Sequence, residues 1–274
     1  MITIKNLSFS YEKVKIFKDF NLHVPEGQSC LVTGINGVGK STLLRLMAGV
    51  LQPDKGEIIF NPKMGNIPRQ KIGFISDKLS MYESLTVAQG IELHQSVYKV
   101  STFDDSLIGH TKIKPGQRIK ELSVGQRTIL HLSLVLSAEP EVLLIDEIIH
   151  SMDAYLRKFF IEQLIALLAQ RSVTVVMVNV NFHDIEHMVD RVILLKDGEI
   201  AVDEEIDSLK EKVKKVVTNF PPEHLPIISQ MGHPDRPDYF IYPFKEEFYP
   251  KIDGEVKDLD LTEIVTAFIG GEYS

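Results

Sequence analysis

The chain has 274 residues, 38 Asp and Glu against 30 Lys and Arg, a formal net charge of −8, 44% hydrophobic residues and one cysteine. That length is ample for a large core and suggests about two domains, while the acidic balance excludes the basic footprint of a nucleic-acid binder. The single Cys30 excludes an intramolecular disulfide and, inside an apolar run, reads as a small buried hydrophobe; no apolar stretch approaches the ~18 to 20 residues of a membrane span, and MITIKNLSF lacks the basic and apolar segments of a signal peptide.

In chain order, ITIKNLSFS reads as a strand leading to Tyr11, and QSCLVT, Gln28 to Thr33, as a short buried strand. The string GINGVGKST, Gly34 to Thr42, follows and fits G-x-x-x-x-G-K-[ST]. Gly34, Gly37 and Gly39 let backbone N–H groups come close to phosphates at positions that favour φ > 0. Lys40 supplies a charge for the β- and γ-phosphates, Ser41 a hydroxyl for Mg²⁺, and the helix read over Ser41 to Gly49 aims its positive end at the anion. The pattern is a nucleoside triphosphate site. KIGFIS, Lys71 to Ser76, is the next strand.

Residues from about 79 to 136 read as mostly helical, with a Thr86 cap before VAQGIELHQSVY and a Ser123 cap in ELSVGQR, Glu121 to Arg127. The second helix start, with the Gly125 amide and the Ser123 hydroxyl, offers an anion site. EVLLIDE then runs four apolar residues into Asp146 and Glu147. At the end of a buried parallel strand Asp146 would face Mg²⁺ and Glu147 would orient and deprotonate an attacking water. An amphipathic helix around YLRKFFIEQLIALLAQ, the strand SVTVVMVNV and a hairpin around Asp197-Gly198 complete an alternation that implies a mostly parallel sheet flanked by helices.

From about residue 205 the texture changes, with 7 of the 13 prolines between Pro221 and Pro250, interleaved with aromatics. The aromatic content is too high for disorder, and KKVVTNF and DYFIYPF read as strands before a last helix over LTEIVTAFIGG. Lys210, Lys212, Lys214 and Lys215 read as a solvated face rather than an anionic-lipid site. His183 and His187 stand four apart with Glu186 beside them, but no third ligand supports a metal site there.

ELSVGQR resembles the LSGGQ signature of ABC-transporter ATPases, and with the phosphate loop, the EVLLIDE strand, Tyr11 in LSFSY, HSMD (His150 to Asp153) and DRVILLKDGEI the resemblance covers residues 1 to about 205 in the family's order. EIDSLKEKVKKV and DLTEIVTAFIGGE are similar to the C-terminal ends of ATPases that power ABC-2-type exporters. The resemblance implies an α/β fold, a P-loop NTPase (RecA-like) core with an N-terminal β-subdomain, a helical signature subdomain over about 79–136 and a small C-terminal α+β extension, so that 1–204 form the ATPase domain and 205–274 an accessory module. It also implies ATP and Mg²⁺ as cofactors. ATP would be held by Tyr11 stacked on adenine, by Asn36, Gly37, Val38, Gly39, Lys40, Ser41 and Thr42 around the phosphates, by Asp77, and by Ser123, Gly125 and Gln126 from a second subunit. Ser41, Asp146 and Asp77 would hold the metal, and Glu147 and Lys40 would carry the chemistry. The implied partners are a homo- or heterodimeric second ATPase subunit and an integral membrane permease at the cytoplasmic face, with no nucleic acid.

Three departures bear on turnover. Asp77 stands where the family has its Q-loop glutamine, Ile148 where a proline follows the catalytic glutamate, and Val180 where the switch histidine contacts the γ-phosphate. Valine cannot hydrogen-bond a phosphate; His183 lies three residues on. The segment between Asp77 and Leu122 is also shorter than is usual in the family. The alternative reading is therefore a slow-turnover or regulatory ABC protein, such as the degenerate half of a heterodimer.

Overall fold

The computed structural model describes residues 1–76, 81–109, 111–147, 154–170, 173–178, 185–218, 221–233 and 236–270. By internal contacts it divides into Met1–Cys30 with Gly39–Asn179, and Leu31–Val38 with Val180–Ser274.

In the first unit, alternating apolar residues build the antiparallel pair β1 (Ile2–Tyr11) and β2 (Val14–Val24), with Ile2, Ile4, Phe17, Phe20 and Leu22 buried. β3 (Ser29–Gly34), which the division crosses after Cys30, is buried along its whole length, and α1 (Lys40–Met47) begins after Gly39. β4 (Lys55–Phe60) lines up on the other side of β1, giving the order β2-β1-β4. After β5 (Ile72–Ser76) come α2 (Val87–Tyr98), α3 (Ser106–Gly109) and α4 (Val124–Ser137). Val87, Ile113, Ile119, Leu122, Leu130 and Leu134 close a core of their own among these helices, and α4 comes so near β5 that a Cβ on Gly73 would stand 2.5 Å from Val135 Cγ1. The chain then forms β6 (Val142–Asp146), α5 (Ala154–Gln170) and β7 (Thr174–Val178).

β5, β6 and β7 are parallel, with Ser76, Asp146 and Val178 level at their C-terminal ends. From β7 the Val175 N–H donates to the Gln28 carbonyl at 3.0 Å. These strands are continuous aliphatic runs because helices cover a parallel sheet on both faces. Cys30 is buried here.

In the second unit, β8 (Arg191–Lys196) and β9 (Glu199–Glu205) pair across Asp197-Gly198, both at positive φ, a two-residue hairpin turn. α6 (Ile206–Lys212), β10 (Lys214–Thr218), β11 (Ile227–His233), β12 (Arg236–Ile241), β13 (Gly254–Lys257) and α7 (Leu261–Ile269) follow. The last four strands form an antiparallel sheet ordered β11-β12-β10-β13, with Val216, Leu225, Tyr239, Ile241 and Phe244 packed together. The lysine face is more engaged than the sequence reading held. Lys210 pairs with Glu186, Lys212 with Glu204 at 2.7 Å, Lys214 with Asp258 at 2.6 Å, and Lys215 lies 3.6 Å from Glu263. His187 sits in a single 3-10 turn, Glu186–Met188; His183 lies outside the described residues. Among the described residues no helix is long and apolar enough to cross a membrane.

Candidate functional site

The loop Gly34 to Thr42 uses each glycine differently. All three have positive φ, at 143°, 84° and 112° for Gly34, Gly37 and Gly39. In the second unit a Cβ on Gly34 would stand 2.4 Å from the Leu195 carbonyl oxygen, so only glycine lets the two backbones approach. In the first unit a Cβ on Gly39 would meet Ile16 Cγ2 at 2.6 Å and Phe17 Cζ at 2.8 Å. Gly37 has nothing within 4 Å of such a Cβ, so its glycine answers to backbone conformation and to whatever approaches from outside. Asn36 and Gly37 are exposed, Val38 and Thr42 buried, and the Val38 N–H closes a turn on the Ile35 carbonyl at 3.3 Å.

α1 starts at Gly39 with no side-chain cap and no acidic residue in its first turn, which leaves its positive end suited to an anion. Lys40 is only 5% exposed. Burial pulls the Lys40 ammonium below its ordinary pKa, and the nearby Glu147 and Asp146 carboxylates oppose that shift. The Ser41 hydroxyl donates to Asp146 Oδ1 at 2.7 Å, and Asp146 is 2% exposed at the end of β6. Glu147 takes φ 49°, rare for a side chain of its kind, while its N–H donates to the Val178 carbonyl of β7 at 3.1 Å. The ladder thus extends one residue past β6 before the backbone turns sharply. Lys40, Ser41, Asp146 and Glu147 are brought together.

A hydroxyl and a carboxylate oxygen at hydrogen-bond distance form a hard-donor set that suits Mg²⁺, which is held by one or two protein oxygens together with substrate phosphates. The described residues contain no group of three or more His, Cys, Asp or Glu arranged for a metal.

Ser123 and Gln126 form a separate local group. The Gln126 N–H donates to Ser123 Oγ at 3.2 Å and the Ser123 N–H to Gln126 Oε1 at 3.0 Å, a reciprocal capping box at the start of α4, with Gly125 buried beside it. Tyr11 ends β1 opposite Val14, is 41% exposed, and stands edge-on to Phe9 with ring centroids 4.9 Å apart. Asp77, Ile148, His150 to Asp153, Val180 and His183 lie outside the described residues.

Sequence reasoning missed Ile16 and Phe17 as the walls that force glycine at position 39, because they are remote from it along the chain and meet it only in the fold. It also missed a cavity of about 530 Å³ in the first unit, lined by Val50, Phe74, Leu93, Val97, His131 and Leu134 among others.

Residues 17–150 match the family model described as ABC transporter. The chain is 26% identical to the ABC transporter ATP-binding protein YtrB of Bacillus subtilis, over 99% of both chains. It is 30% identical to the sulfate/thiosulfate import ATP-binding protein CysA of Synechocystis, over 73% of this chain but only 59% of that one. In fold it is similar to MJ0796, a bacterial ABC transporter cassette solved as a dimer, with a TM-score of 0.65 at 23% identity over 75% of this chain and 99% of the other.

Proposed function

The chain belongs to the ABC transporter family of ATP-binding proteins, and on that premise we propose that it is the ATP-hydrolysing subunit that energises export through a separate integral membrane permease. The observation that carries the reading is the Ser41–Asp146 contact of 2.7 Å beside the buried Lys40. It joins the phosphate loop to the carboxylate strand as an ATP site requires. In this reading residues 1–204 are the ATPase domain, with about 79–136 its helical part, and 205–274 are an accessory module.

Tyr11 stacks on adenine, the Gly34–Thr42 loop and Lys40 neutralise the phosphates, and Ser41, Asp146 and Asp77 hold Mg²⁺, which when bound offsets phosphate charge. Glu147 orients water and accepts its proton. Ser123, Gly125 and Gln126 reach the γ-phosphate of the nucleotide on a second subunit, so ATP closes a dimer and its hydrolysis reopens it. Lys40 is poised for this, because a buried ammonium has lost hydration that the oxygens of a polyphosphate replace with charge-assisted contacts.

A permease partner is supported by the mouth of the first unit's cavity, where Tyr82 is 70%, Val50 63% and Val97 56% exposed. Clustered exposed apolar side chains mark a protein contact. Export is supported by the exporter-like C-terminal segments, and the match to YtrB runs through residues 205–274 as well. Val180 and Asp77 favour a second reading, in which ATP closes the dimer but turnover is slow. The test is extraction of the native protein from membranes in mild detergent. A polytopic membrane protein should co-purify and stimulate ATP hydrolysis, and its absence sinks the transporter reading.

A further inference from the structure

The antiparallel sheet of the second unit has β11 at one end and β13 at the other. Edge strands present unpaired backbone N–H and C=O groups, and proteins guard them with charge, proline, bulges or short length. β13 is guarded. It has four residues, carries Glu255 and Lys257 paired at 3.0 Å, and is followed by Asp258 engaged with Lys214.

β11 differs in length and in charge, although Pro226 precedes it and Gly232 within it takes φ 94°. It has seven residues, Ile-Ile-Ser-Gln-Met-Gly-His, with no Asp, Glu, Lys or Arg. Its one register shift lies between Ile227 and Ser229; from Ser229 opposite Phe240 to His233 opposite Arg236 the ladder to β12 advances residue for residue. Packing from α7 does not guard the edge. A Cβ on Gly270, at the end of α7, would lie 2.2 Å from Met231 Cε, so α7 covers the face carrying Met231 and the buried Ser229. Side chains alternate between faces along a strand, so Gln230 stands on the opposite face, exposed. Ile227 is 38% exposed at the strand's start.

We propose that β11 pairs antiparallel with β11 of a second copy of this chain, joining two four-stranded sheets into one of eight strands. A second copy is the occupant because a strand that pairs antiparallel with itself about a two-fold axis closes at two chains, and because every side chain meeting across that axis is free of formal carboxylate or ammonium charge. Centred on Gln230, the pairing sets two carboxamides opposite each other, each able to donate and accept, with Ile227 opposite His233 at either end. A charged partner strand gains no complementary charge from this edge. Seven residue pairs bury less than the ~1,200 Å² of a stable interface, so the association is weak and concentration-dependent. It needs no nucleotide, which separates it from the ATP-closed dimer proposed above.

The experiment uses the full chain without nucleotide, carrying Lys40→Ala so that ATP-driven closure cannot contribute. Cys30 is the only native cysteine and is buried, so an introduced thiol is the reactive one. Under mild oxidation Gln230→Cys should form a disulfide-linked dimer at least about tenfold faster than Val14→Cys, a control that is 64% exposed. In sedimentation equilibrium the parent should show a rise in average mass towards about 0.5 mM that Gln230→Lys removes, because like charges across a ladder repel, with its thermal melt unchanged. A parent that stays monomeric at that concentration, or a dimer that Gln230→Lys leaves intact, overturns the proposal.

Discussion

Substituting alanine at Gly39 and at Gly37 separates packing from ligand binding within one loop. At Gly39 the new methyl carbon would stand 2.6 Å from Ile16 Cγ2 and 2.8 Å from Phe17 Cζ, at φ 112°. Backbone strain of about 1–3 kcal/mol adds to overpacking of about 1–3 kcal/mol, so Gly39→Ala should destabilise by roughly 2–6 kcal/mol. At Gly37, φ is 84° and nothing lies within 4 Å. Gly37→Ala should therefore cost only the left-handed strain, about 1–2 kcal/mol. It should still weaken ATP binding severely, because the methyl group projects into the space a phosphate needs. Urea denaturation gives the stabilities and titration with a fluorescent ATP analogue gives the affinities. Phe17→Leu added to Gly39→Ala should recover part of the lost stability, since the contact at Cζ disappears. Equal stabilities for the two alanine variants, or a Gly39→Ala protein within about 0.5 kcal/mol of wild type, would refute the assignment of Gly39 to packing.

Tyr11→Phe should leave ATP affinity nearly unchanged and Tyr11→Ala should reduce it without altering the melt, because stacking needs only a flat ring; equal affinities for all three remove Tyr11 from the site. His131 is held neutral, with its pKa lowered from 6.5 to about 4, chiefly by burial and secondly by the neighbouring His94. On acidification from 6.5 to about 4 the unfolded chain takes up a proton at this residue that the folded chain refuses. Stability should therefore fall through that window, by about 3 kcal/mol for this residue, and level off below it. Urea midpoints at neutral pH and near pH 4.5 should diverge less in His131→Phe; an unchanged pH dependence refutes the buried neutral imidazole. Val180→His should raise basal ATP hydrolysis on the order of 10²-fold by restoring a donor to the γ-phosphate, with phosphate release as the readout, whereas a collapse of wild-type activity in His183→Ala would show that the histidine has moved along the chain.

The parts of this structure that were legible in the sequence are those where one local interaction decides. The strand run into Gly34, the caps at Thr86 and Ser123, and the Asp197-Gly198 turn each follow from residues within a few positions, and each forms as read. β11 and β13 were not read, because Pro226 and Gly232 mask β11 and β13 is only four residues long, so pairing with β12 and β10 decides them. The engagement of the lysines was missed for a related reason: Glu186, Asp258 and Glu263 reach them only once the chain has folded back. In the candidate site, the meeting of Ser41 and Asp146 across 105 residues was legible from motif order, but the left-handed turn at Glu147 was not, since nothing about glutamate announces it.

The claim on which the account turns is that ATP draws two copies together around two nucleotides and that Glu147 releases them by hydrolysis. Glu147→Gln keeps the charge partners of the phosphates and removes the base, so turnover should fall by on the order of 10² or more while ATP stays bound. Sedimentation velocity of this variant at about 1 μM, far below the range in which a weak edge contact associates, should show a dimer with Mg-ATP and a monomer without it. A variant that binds ATP and still sediments as a monomer would contradict the account.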